Sequence, residues 1–183
     1  MLPYARPVAD ERSKRFGGVY DAYRRRDVAY LREALRDPDW RGAAAGYIAA
    51  LDAQEAVPEL IRLLSVTKPT DRAAAAKALG RLQAGEAVVR LTEVAESDPV
   101  HPTRSYAIGA LGMIGDPRSI EPLTRLIRDP EPWIRTSAIR ALARYRDADA
   151  DAAIHLAQGT EKRWRWRYRY WRALRGGRSQ VPG

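Results

Sequence analysis

The sequence contains no cysteine among its 183 residues, which excludes disulfides, thiolate nucleophiles and thiolate metal sites. It has only two histidines, His101 and His155, too few and too far apart in the chain for an ordinary histidine-rich metal cluster. No apolar run approaches the roughly 18 residues of a membrane span, and Met1-Leu2-Pro3-Tyr4-Ala5-Arg6 lacks the apolar core of a secretion signal. A cytoplasmic protein without membrane insertion is expected. Also missing are a glycine-rich phosphate loop, a serine or cysteine placed beside a base, and any metal-ligand spacing. Neither catalysis nor a cofactor is therefore expected.

Lysine is scarce as well: 4 residues against 28 arginines, within a net charge of +9. That charge is uneven. Residues 1–36 carry nine basic and five acidic side chains, residues 161–183 carry eight and one, and the stretch between carries fifteen and seventeen. A nearly neutral middle with basic ends suggests an acidic partner, although charge runs are more commonly solvated faces.

The middle is periodic. Arg41, Arg72, Arg104, Arg135 and Arg167 recur at steps of 31, 32, 31 and 32 residues. Three residues after the first four stand Ala44, Ala75, Ala107 and Ala138, and seven after stand Ile48, Leu79, Leu111 and Leu142. A fixed period of this length marks a solenoid of helical hairpins. Ahead of each arginine the apolar stripe of a first helix (helix A) is visible: Val28, Leu31, Leu35; Val57, Leu60, Leu64; Val88, Leu91, Val94; Ile120, Leu123, Ile127. Proline-bearing turns follow at Asp37-Pro38, Lys68-Pro69, Asp98-Pro99 and Asp129-Pro130, and a second helix (helix B) starts near each marker arginine. Asp37, Asp98 and Asp129 precede their arginines by four to six residues, placed to pair with them and to cap the next helix. At the N-terminus a short helix over 10–16 is expected to end at Gly17-Gly18, within an atypical capping segment. Tyr20, Tyr23 and Tyr30 interleave there with Arg24, Arg25 and Arg26, which reads as cap packing more readily than as a binding patch.

Arg72-Ala73-Ala74-Ala75-Ala76-Lys77-Ala78-Leu79-Gly80, with Ala110-Leu111-Gly112, Ile114-Gly115-Asp116 and Ile120-Glu121-Pro122-Leu123, resembles the short HEAT-like repeat of the phycobilisome-lyase type. The resemblance implies an all-α fold: a right-handed α-solenoid of about five two-helix repeats behind an N-terminal capping helix. The expected division is a leader and cap over 1–26, the repeat array over 27–158, a basic aromatic terminal helix over 159–175 and a disordered tail over 176–183. Families with this unit include bilin-attaching lyase subunits, chaperones, scaffolds and alkyl-purine DNA glycosylases, so the fold alone names no activity. The glycosylase pattern requires aromatics beside a carboxylate, and neither Trp40 nor Trp133 is followed by an acid one helical turn later.

Residues 161–175 alternate arginine with aromatics and match a β-strand template as well as a helix, with repeat register and Ala173-Leu174 favouring helix B of a fifth repeat. Trp164 and Tyr168 exceed what that register needs. They suit a partner surface, self-association or base stacking, or else fold over the end of the stack.

In HEAT-like stacks the B helices line the concave side, with outward positions two, five, six and nine residues after the marker. The candidate partner-binding residues are therefore Tyr47, Lys77, Arg81, Tyr106, Met113, Arg140 and Arg144, joined by Trp164, Arg165, Tyr168, Arg169 and Arg172 at the C-terminal end. Ala78, Ala110 and Ala141 fall in the same set. The expected function is a protein-binding scaffold for an acidic surface or peptide, with contact to a nucleic-acid backbone as the alternative.

Overall fold

The computed structural model describes residues 11–145 and 147–160. Among them are ten α-helices: α1 Glu11–Arg25, α2 Val28–Ala34, α3 Arg41–Ala50, α4 Val57–Leu63, α5 Pro69–Arg81, α6 Val88–Ser97, α7 His101–Ile114, α8 Ile120–Leu126, α9 Pro132–Leu142 and α10 Ala148–Thr160. No strand occurs among the described residues. The short helices α2, α4, α6 and α8 are the A helices, and α3, α5, α7 and α9 are the B helices of four consecutive hairpins. Prolines open α5, α7 and α9 two or three residues ahead of the marker arginines, because Pro69, Pro102 and Pro132 occupy first-turn positions whose amides have no helical acceptor.

Each hairpin is too small to enclose its own apolar residues, and stacking solves this. Leu31, Leu60, Leu91 and Leu123 of the A helices are fully buried, as are Ile48, Leu79, Leu111 and Ile139 or Leu142 of the B helices, in one continuous core. The B row is held together by backbone proximity. A Cβ on Gly80 of α5 would lie 2.7 Å from Ala110 Cα of α7, and one on Gly112 of α7 would lie 2.8 Å from Ala141 Cα of α9. The A helices instead meet through long side chains, such as the Arg32–Glu59 and Arg125–Glu96 pairs at 2.7 Å. A closely spaced row beside a widely spaced one bends the stack, which puts the B helices on the inner side of the curve.

Repeats are also tied at their loops. Gln54 Nε2 donates to the Leu82 carbonyl at 3.0 Å, Arg118 to the Gly85 carbonyl at 3.0 Å, and Tyr145 Oη to the Leu111 carbonyl at 2.8 Å. The first three B helices end at the same offset, eleven residues past the marker, in a left-handed residue: Asp52 (φ 54°), Gln83 (φ 51°) and Gly115 (φ 71°). Ala53 N and Ala84 N then reach back to the Ile48 and Leu79 carbonyls, closing the helix ends.

One expectation needs correction. Gly17-Gly18 does not stop the N-terminal helix, which runs on to Arg25 and turns at Arg26 with φ 58°. Val19 and Ala22 bury against the first hairpin and draw the helix onward. Gly18 serves contact, since a Cβ there would meet the Tyr30 hydroxyl at 2.6 Å.

Gly112→Ala and Gly80→Ala, ordinarily stabilising changes inside a helix, should each cost about 1–3 kcal/mol in chemical denaturation because the neighbouring backbone blocks the added methyl. Gln83→Gly should do the opposite, raising stability by about 1 kcal/mol by removing the left-handed strain of a residue bearing a Cβ.

Candidate functional site: the exposed row of the B helices

Most arginines and lysines of the repeats fall into three classes, with the exposed Arg128 past α8 outside them, and the division locates the site. The first class is buried at Arg72 and Arg104 and half-buried at Arg41 and Arg135. Arg72, 7% exposed, donates from Nε and Nη2 to both oxygens of Asp98 at 2.6 and 2.9 Å and from Nη1 to the Val66 and Thr67 carbonyls at 2.9 and 2.7 Å. Arg104 repeats the arrangement one hairpin on, donating to the Ala95 carbonyl at 2.8 Å and to Asp129 at 2.5 Å. Arg135 donates to the Asp129 and Pro130 carbonyls, both at 3.0 Å, and Arg41 lies 3.6 Å from Asp71. Arg72, Arg104 and Arg135 thus satisfy carbonyls at the end of their own A helix or turn, while Arg41, Arg72 and Arg104 reach an aspartate of the next repeat.

This corrects the expected pairing of Asp98 and Asp129 with the arginines that follow them. The carboxylates do cap their own turns, accepting from Val100 N and Glu131 N at 2.9 Å, but their strong ion pairs run backward to the preceding repeat. Burial alone would raise the Asp98 carboxyl, yet the Arg72 hydrogen bonds, the Val100 amide and the charges of Arg72 and Arg104 together hold it below the ordinary carboxylate value. The Arg72 guanidinium is pushed up in turn, chiefly by its hydrogen bonds to Asp98.

The second class lies on and around the A helices and is paired at the surface: Arg32 with Glu59, Arg36 with Glu33, Arg90 with Glu93, Arg118 with Asp116, Arg125 with Glu96 and Glu121. Such pairs contribute about 0–1 kcal/mol each and serve mainly to neutralise the outer side.

The third class is Lys77 and Arg81 on α5, with Arg140 and Arg144 on α9. All four are exposed, and among the described residues none makes an ion pair. They sit five and nine residues after their markers. At the offsets two, five and nine of the four B helices stand Ala, Gly, Ser, Lys, Arg, Tyr and Met and no acid. Tyr106, 49% exposed, and the half-buried Met113 project from α7 between the two cationic helices. The inner face is therefore basic at α5 and α9 and apolar between them.

Two parts of the expected site change. Offset six does not face outward: Ala78, Ala110 and Ala141 are buried, being the surfaces against which the preceding B helix packs. Tyr47, at the same offset on α3, is half-buried and stacked on Tyr23 of α1 with ring centroids 4.7 Å apart, so it docks the cap onto the array. Trp164, Arg165, Tyr168, Arg169 and Arg172 lie outside the described residues, as does the expected helix over 159–175. Offset five of α3 and α7 faces outward as its register implies, and at Gly46 and Gly109 an added Cβ would meet nothing within 4 Å. Among the described residues no group of three or more His, Asp or Glu could hold a metal ion, and no helix is long and apolar enough to cross a membrane.

Two-helix units that share one core and expose a smooth inner row define an α-solenoid of helical repeats. The sequence model for HEAT repeats matches residues 28–108 and 90–175, and the chain belongs to that family. Among solved structures, the complex of CpcE and CpcF of phycocyanin lyase from Nostoc sp. PCC7120 is similar with a TM-score of 0.66 at 18% identity, covering 80% of this chain and 96% of that one. A designed armadillo repeat protein in complex with the peptide (KR)4 gives 0.58 at 16% identity, over 87% and 85% of the two chains. A computationally designed armadillo repeat protein for modular peptide recognition gives 0.56 at 17%, over 86% and 84%. At these identities the likeness establishes the fold alone, the one implied by the repeat motifs. No curated protein matches the chain.

Asp98→Ala strands Arg72 in the core without its counter-charge and should cost about 3–5 kcal/mol. Because the folded Asp98 carboxyl lies below its unfolded value of about 3.9, its contribution is complete above that pH and disappears as pH falls through the folded value. Stability of the wild type should therefore fall on acidification below about pH 4, and Asp98→Asn should flatten the profile over that window in pH-dependent denaturation.

Proposed function

We propose that this chain is a non-catalytic adaptor that binds an acidic segment of a protein partner across the inner face of its B helices. The observation that carries the reading is the set of four exposed cations, Lys77, Arg81, Arg140 and Arg144, left without ion pairs among the described residues on a face whose outward offsets hold no acid. Most other arginines of the repeats hold inter-repeat pairs or turn carbonyls or are matched at the surface, and Arg128, exposed and likewise without an ion pair among the described residues, lies past the end of α8, away from this face. Cations of helix pairs set one turn apart give an incoming carboxylate two donors at once.

Two further observations support a peptide or protein over a phosphate backbone. The cationic helices are separated by α7, whose outward residues Tyr106, Gly109 and Met113 carry no charge and offer apolar contact instead. A phosphate backbone would instead reward an unbroken basic track. A designed solenoid of similar fold is in complex with the peptide (KR)4, which supports a peptide as the occupant, here with the charge reversed.

Fluorescence anisotropy with labelled Glu-rich peptides, in competition with a mixed-sequence DNA duplex, tests this. Arg140→Glu combined with Arg144→Glu should weaken peptide binding more than about tenfold, with the thermal unfolding midpoint little changed. Unaltered affinity after charge reversal, or a duplex that outcompetes every acidic peptide, contradicts the reading.

A further inference from the structure

The outward residue five positions past the marker alternates along the stack: Gly46 on α3, Lys77 on α5, Gly109 on α7, Arg140 on α9. The cations of this row lack ion pairs among the described residues, so their counter-charge must come from a ligand or solvent. The glycines are unlike those at offset eight. Gly80 and Gly112 are required by the approach of the next helix, whereas at Gly109 an added Cβ would touch nothing within 4 Å and the backbone is right-handed helical. An exposed glycine in a helix interior weakens the helix relative to alanine, and nothing among the described residues repays that loss.

Along α7, Tyr106 lies three residues before Gly109 and Met113 four after, on the same helical face. The Met113 methyl reaches over Gly80 of α5, where an added Cβ would come within 2.5 Å of it. Gly109 is thus the floor of a shallow notch between a tyrosine and a methionine, with Lys77 and Arg81 on one flank and Arg140 and Arg144 on the other.

Resting on the acidic-partner reading above, we infer that the ligand is an extended peptide with two acidic residues and one bulky apolar residue midway between them, the apolar side chain seated over Gly109. The spacing follows from helix geometry. Packed helices lie about 8–10 Å apart, so the cations of α5 and α9 are about 16–20 Å apart. An extended chain advances about 3.3 Å per residue, which sets the acids about 5–6 residues apart.

The test uses the full chain and three labelled peptides of identical composition, each with two Glu-Glu pairs flanking a central Leu, the pairs centred about 3, 6 or 9 residues apart. Anisotropy titrations are made with wild type, Gly109→Ala and Gly109→Leu, with thermal melts of each. The middle spacing should bind about tenfold more tightly than the others, and Gly109→Leu should erase that preference while leaving the fold intact. Gly109→Ala should melt higher than wild type, since its methyl meets open space.

Equal affinity for all three peptides, or a preference indifferent to Gly109→Leu, overturns this inference while the acidic-partner reading stands. A lower melting point for Gly109→Ala also overturns it, by showing that the glycine serves the fold. Binding of none of the peptides removes the acidic-partner reading together with this one.

Discussion

The structure depends on how closely consecutive B helices can approach. At Gly80 against Ala110, and at Gly112 against Ala141, the missing glycine side chain lets the helices approach to van der Waals contact, which sets their distance. That contact fixes which flanks of each B helix are covered and which arc is left open. On a wheel of about 100° per residue, offset eight faces the next helix and offset six the previous one. Offsets two, five and nine fall on the arc between them. The open face is what remains after the stack has taken the two flanks.

The buried arginines lock each step in place. A guanidinium holding carbonyls of its own hairpin and a carboxylate of the next cannot be satisfied by an isolated repeat. Polar groups in this environment cost much more when stranded than they contribute when paired, so the ladder penalises any hairpin that swings away from its neighbour. Stiffness of this kind would suit the proposed binding role, because the spacing between α5 and α9 would then be a fixed ruler for a partner.

The architecture was legible because solenoid geometry writes its period into the chain. The apolar stripes, the marker arginines and the proline turns place the four hairpins from α2 to α9. What escaped were features that depend on neighbours. Offset six sits at the edge of the outward arc, and only the position of the preceding helix shows that Ala78, Ala110 and Ala141 are covered. Asp98 is near Arg104 in sequence, but its partner Arg72 is 26 residues away and is chosen by the stack. Gly17-Gly18 reads as a stop because a glycine pair weakens helices, whereas Val19 and Ala22 gain burial that offsets it. The cationic candidates Lys77, Arg81, Arg140 and Arg144 were legible as exposed helix positions. Their lack of ion pairs could be seen only beside the paired arginines of the outer face.

The central claim, that the inner B-helix face is where a partner is met, is tested most directly by an NMR titration of the isotope-labelled protein with an acidic peptide. The account predicts amide shift changes concentrated at Lys77, Arg81, Tyr106, Gly109, Arg140 and Arg144. Changes centred instead on the outer side, around Arg62, Arg90 and Arg125, would contradict it.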